Sequence, residues 1–116
     1  MVFASSLSGS QEQSATIVAP LPLTIEEQVN AYFADIPVMI DIARCESRFQ
    51  HTLKGGFVIR GEANRADVGV MQINEFYHRA KAAKLGLNID DLADNIVYAR
   101  KLFEKEARRF DLNLKT

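Results

Sequence analysis

Between Ile89 and Phe110 the apolar residues Ile89, Leu92, Ile96, Ala99, Phe103, Ala107 and Phe110 recur at intervals of three or four. That spacing predicts a helix with one apolar stripe, stable only when other elements cover the stripe. Asn88 and Asp91 stand where they can open the helix by satisfying free N–H groups of its first turn. The chain has 116 residues, enough for one domain with a modest core and not comfortably for two. The cover must therefore come from a few short elements of the same domain.

Those elements can be read upstream. Residues 1–22 are expected to form a flexible N-terminal segment, since "MVFASSLSGSQEQSATIVAP" is rich in Ser, Gln and small residues without a sustained period. The folded domain is expected over 23–116. Pro20 and Pro22 hold the chain extended, and Thr24 with Glu27 has the spacing of a capping box. A helix over about 24–34 follows, burying Ile25, Val29 and Tyr32 or Phe33. Asp35 and Pro37 start a second helix, whose stripe of Ile36, Met39, Ile40 and Ala43, with Cys45 as a further candidate, runs into Glu46.

The period then changes. Gly55 and Gly56 precede "FVIRG", a turn segment "EANRAD" follows, and "VGVMQI" comes next, which together predict a small antiparallel hairpin. Gly61 and Gly69 permit bends or a close backbone approach. Asn74 can cap a third helix that Gly86 ends. The closing "DLNLKT" has no evident cap, and no internal repeat is visible. The fold class expected is α+β, mainly α-helical, with four helices and a small β-hairpin.

Composition narrows the function. The formal net charge is -1 and no basic stripe stands out, which speaks against nucleic acid and against an anionic membrane surface as partners. One cysteine, Cys45, cannot form an internal disulfide. The two histidines, His51 and His78, lack a second Cys or His at metal-ligand spacing, so no metal is expected. No run of about 18 apolar residues spans a membrane. The N-terminus lacks the basic start and apolar centre of a secretory signal.

The residue that stands out chemically is Glu46, in "RCESRF". Near the C-terminal end of a helix read as largely buried, it meets an unfavourable dipole and desolvation, both of which should raise its pKa. A carboxyl that stays protonated near neutral pH is what acid catalysis on an acetal requires. The plainer reading is a solvated patch in which Arg44 and Arg48 pair with it. In "GVMQI", residues 69–73, backbone groups and the Gln72 amide could line a groove for a sugar N-acetyl group. The plainer reading there is a buried strand with one polar residue at its edge. Asp67, directly before this stretch, is either a turn-forming residue or a second carboxylate. His51 and His78 read as surface or packing residues.

Taken in order, "IARCESRF", "DVGVMQIN" and "NIVYARKLF" resemble the lytic transglycosylase family with the lysozyme-like SLT fold, related to goose-type lysozyme. In that family a Glu-Ser pair ends a helix, a Gly-Leu-Met-Gln-Ile motif follows, and an Asn-Ile helix comes later. The matches are Glu46-Ser47, Gly69-Val70-Met71-Gln72-Ile73 and Asn95-Ile96, with Val70 where the family has Leu. The resemblance covers about residues 36–104.

The resemblance implies cleavage of the β-1,4 bond between N-acetylmuramic acid and N-acetylglucosamine in peptidoglycan, without a cofactor; the chain is expected to be a monomer. Glu46 would be the general acid, then the base on the muramoyl 6-hydroxyl. Ser47 would orient Glu46 or the N-acetyl group, and Gly69, Met71, Gln72 and Ile73 would contact the glycan. The groove would lie between the helix ending at Glu46 and the strand carrying Gln72. Hydrolysis is the alternative, with Asp67 as the candidate base, and a non-catalytic glycan-binding module is a further one. The family usually continues into an Ala-Tyr-Asn-containing segment that closes the groove, so a C-terminally shortened member is expected. Cys45 would then be a small buried residue or one whose partner lay in that segment. The substrate implies work outside the cytoplasm, in the periplasm or cell wall.

Overall fold

A computed structural model describes residues 21–110. The expected flexible lead-in therefore falls, up to residue 20, outside the described residues, as does "DLNLKT". Four helices and one two-stranded antiparallel sheet make up the regular structure of the described residues, which gives the α+β, mainly helical domain that the sequence predicts.

Helix α1 runs over Ile25–Tyr32 and opens with the complete capping box: Glu27 N–H donates to Thr24 Oγ1 at 3.1 Å and Thr24 N–H to Glu27 Oε1 at 2.9 Å. Val29 and, just past the helix, Phe33 are fully buried. Helix α2 is Pro37–Ser47, with Pro37 in its first turn, where no hydrogen bond is lost. Helix α3 is Glu75–Lys84, capped by Asn74, whose side chain accepts from Phe76 N–H and Tyr77 N–H. It ends in a Schellman turn: Leu87 N–H donates to Ala82 O and Gly86 N–H to Ala83 O, with Gly86 at φ +77°. Helix α4, Leu92–Arg109, is opened by Asp91, which accepts from Asp94 N–H.

The stripe of α4 packs as expected through Ile96, Ala99 and Ala107, with Leu92 and Phe103 partly buried. Phe110, expected at its end, is 66% exposed because the helix stops at Arg109. One cluster joins Val29 and Phe33 to Met39 and Ala43 of α2, to Ala82 of α3, to Ile96 and Ala99 of α4, and to Val68, Val70, Met71 and Ile73. An ion pair braces the helical side. Arg100 of α4 reaches Asp35, between α1 and α2, and donates to Tyr32 O while its guanidinium lies 5.5 Å from the Tyr32 ring centroid.

The β structure corrects the sequence reading. The strands are β1, Asp67–Val68, and β2, Ile73–Asn74, paired Asp67 to Asn74 and Val68 to Ile73. "FVIRG" forms no strand and contributes only isolated bridges, Thr52 to Val58 and Arg60 to Val68. "VGVMQI" is not one strand either, because Gly69 at φ +78° and Gln72 at φ +52° break the extended backbone and fold residues 69–72 into a turn. The hairpin is thus shorter and closes within the motif instead of ahead of it.

Candidate active site

The four N–H groups of the 69–72 turn all have partners. Gly69 N–H donates to Ile59 O at 3.0 Å, Val70 N–H to His51 Nδ1 at 3.0 Å, Met71 N–H to Asn95 Oδ1 at 2.9 Å, and Gln72 N–H to Gly69 O at 3.0 Å. Asn95 is fully buried and saturated, because its Nδ2 also donates to Val68 O and Ile89 O. The Asn-Ile pair at the start of α4 therefore serves the turn directly: Asn95 holds its backbone while Ile96, buried, packs the core behind it.

His51 does the same from the other side. Its Nδ1 must accept from the Val70 amide, so Nε2 carries the proton and donates to Asp90 O at 2.7 Å. It is 3% exposed, a structural tie between the turn and the connection before α4. From sequence alone His51 reads as a surface or packing residue. No local signal would have found this tie, since its partners lie 19 and 39 residues away.

In front of the turn lies a groove of about 510 Å³ whose walls include Glu46, Ser47, Arg48, Asp67 and Gln72. That volume is within the range of ligand sites, roughly 300–1,000 Å³. Glu46 is the penultimate residue of α2 and is exposed, which corrects the expectation of a largely buried acid. The buried stripe of α2 is Met39, Ala43 and Ser47. Four-residue steps drift about 40° around a helix, so by the last turn the stripe has moved off Glu46 and onto Ser47. Cys45 is exposed as well, and beside Glu46 in the groove wall it is not the small buried residue expected.

The surface salt-bridge reading of "RCESRF" also fails. Arg44 pairs with Asp41 at 2.6 Å and lies over the Phe49 ring, and among the described residues no side chain donates to Glu46. Immediately after Ser47 the chain reverses through Arg48 and Phe49, both in the left-handed region at φ +54° and +59°. With Gln72 they are the only described non-glycine residues there, and two of the three line the groove. Strained backbone collecting at one cleft is a common mark of a functional site.

The remaining residues singled out from sequence divide into two sets. Ser47 and Asp67 share the groove wall with Glu46 and Gln72. Ser47 is buried and its hydroxyl donates to Ala43 O at 3.0 Å, while Asp67 Oδ1 accepts from Asn74 Nδ2 at 3.4 Å. Gly69, Met71 and Ile73 lie outside that wall. Met71 and Ile73 belong to the hydrophobic core, and Gly69 is packed against Asn95 and His51.

A chain of charges fixes the far rim. Arg60, in the groove wall, donates to Glu75 at 2.5 Å and to Arg65 O; Arg79 bonds Glu75 and grips both oxygens of Asp90 at 3.0 and 2.9 Å. Arg79 holds the Asp90 carboxyl below the ordinary carboxylate range, and Arg60, with Arg79 second, does so for Glu75. The sequence reading missed this network. Among the described residues no three His, Cys, Asp or Glu side chains gather as metal ligands, and no helix is long and apolar enough to cross a membrane.

No curated protein and no solved structure matches the chain. A family model for the transglycosylase SLT domain matches residues 24–115, a span that takes in Glu46, the turn carrying Gln72, and Asn95. The chain belongs to the transglycosylase SLT domain family, whose members act on peptidoglycan as lytic transglycosylases.

Proposed function

We propose that this groove cleaves the β-1,4 bond between N-acetylmuramic acid and N-acetylglucosamine, with Glu46 as general acid and then general base. One observation carries the reading: a carboxyl without a partner among the described residues, at the end of α2, opens into the groove of a peptidoglycan-active family member. A glycan strand in the groove displaces water from Glu46 and brings the leaving oxygen against its carboxyl. The burial that sequence assigned to the helix is in this reading supplied by the substrate.

Glu46 gives its proton to the leaving oxygen as the bond to the muramoyl C1 breaks. The carboxylate then takes the proton of the muramoyl 6-hydroxyl as that oxygen bonds to C1. The product is a 1,6-anhydro end, no water is consumed, and Glu46 is again protonated. Ser47, whose proton is committed to Ala43 O, keeps lone pairs for an N–H of the substrate. Gln72, with Nε2 committed to Gly69 O, offers Oε1 in the same way. Gly69, Met71 and Ile73 act from behind by shaping the wall that Gln72 presents. The work belongs outside the cytoplasmic membrane, where peptidoglycan lies.

Hydrolysis remains as a second reading because Asp67 lines the same groove, and an inverting route needs a second carboxylate about 6.5–9.5 Å from the acid. The test is to incubate wild type and Glu46→Gln with purified peptidoglycan and identify soluble fragments by mass spectrometry. Wild type is expected to release anhydro-ended muropeptides, and Glu46→Gln at least about 100-fold fewer. Equal release by both proteins would remove Glu46 from the mechanism. Reducing ends would assign the hydrolytic route, and binding without release would leave a non-catalytic module.

A further inference from the structure

His51 is a buried titratable group that the proposed chemistry does not use. It is satisfied in one protonation state only. Nδ1 accepts the Val70 amide and the Nε2 proton goes to Asp90 O, so the ring has to be neutral with its proton on Nε2. A second proton would sit on Nδ1 and face the Val70 N–H, donor against donor at 3.0 Å. Val70 is fully buried, and among the described residues the acceptor its amide uses is His51 Nδ1. Protonation therefore orphans a buried donor in the segment that presents Gln72 to the groove.

We propose that His51 is a positioning residue for glycan cleavage: neutral, it holds the 69–72 turn so that Gln72 forms the groove wall, and protonated, it releases that wall. The role in cleavage rests on the function proposed above; the hold on the turn does not.

Asp90, on the connection before α4, meets the ring through its backbone carbonyl and carries a carboxylate. That carboxylate is gripped at both oxygens by Arg79 of α3, with Arg60 beyond. From α4, the neutral Asn95 packs with His51 around Gly69, and from the turn the ring receives the backbone N–H of Val70. What decides the outcome is the acceptor role of Nδ1, which no nearby charge can replace.

Two substitutions separate the two ring nitrogens. His51→Asn puts an amide oxygen close to the Nδ1 position, where it accepts from Val70 and does not titrate. His51→Gln reaches to the Nε2 position, keeps a donor for Asp90 and leaves Val70 bare. The full chain is assayed on peptidoglycan across neutral and acidic pH, with amide protection of Val70 and Met71 followed by hydrogen exchange, corrected for the intrinsic pH dependence of exchange. His51→Asn is expected to outperform His51→Gln by about tenfold at neutral pH and to show a shallower acid limb than wild type. In wild type the protection of Val70 is expected to collapse on acidification, while in His51→Asn it persists. Equal losses in both variants, or Val70 protection in wild type indifferent to pH, would overturn the proposal. If wild type releases no fragments at all, the chemistry proposed for Glu46 fails, and Val70 exchange in unmodified protein still decides whether His51 holds the turn.

Discussion

A methyl group on Gly69 would lie 2.4 Å from Asn95 Nδ2 and 2.7 Å from His51 Cε1, closer than real contacts allow. The residue also sits at φ +78°, where a side chain is strained on its own account. Gly69→Ala is therefore expected to lower stability by at least about 1–3 kcal/mol, read as a fall in the urea midpoint at unchanged m-value. Glycine at 69 announced a close backbone approach, and Glu46 announced itself by its motif. The partners of Gly69 were not legible, because Asn95 and His51 arrive from distant segments. Nor was the exposure of Glu46, which depends on where the buried stripe of α2 has drifted by its last turn.

Among the elements, helix ends were the most legible features because their signals are local. Thr24, Asn74 and Gly86 each lie within a few residues of the groups they satisfy, and each performs the capping that its type and position imply. Strands lack that property, since a strand exists only where a partner is in register. "FVIRG" has β-branched residues and finds bridging contacts alone. The Thr24 box supports α1, which at eight residues is too short to persist by propensity. Thr24→Ala is expected to cost about 1 kcal/mol, and Thr24→Ser much less because the hydroxyl remains. Chemical denaturation of the two variants checks this, with the larger loss required in Thr24→Ala.

Across the described residues, charge pairs join segments far apart in sequence that the core also brings together. Arg100 binds Asp35, and Arg60, Glu75, Arg79 and Asp90 form one chain from the groove wall to the connection before α4. Folding lowers the pKa of Asp35, Glu75 and Asp90, in each case first through an arginine hydrogen bond. Their contribution is complete above the ordinary values of 3.8 and 4.5 and is lost as pH falls through the lower folded values. His78 titrates earlier. Burial, then Lys81 and Lys105, lower its pKa from 6.5, so the unfolded chain takes up that proton first and stability begins to decline as pH drops below 6.5. Acid is thus expected to lower Tm in two stages, and substitutions assign each stage. His78→Gln should flatten the upper one. Arg79→Met, which frees Asp90 and leaves Glu75 to Arg60 alone, should lower Tm at neutral pH and reduce the further fall below about pH 4.5. Calorimetry over a pH series measures both, and an Arg79→Met curve parallel to wild type through the lower stage would show that this network does not set the acid stability. Because Asp90 also receives the His51 proton through its carbonyl, Arg79→Met is expected to loosen Val70 at neutral pH as well, linking the charge chain at the rim to the turn inside the groove.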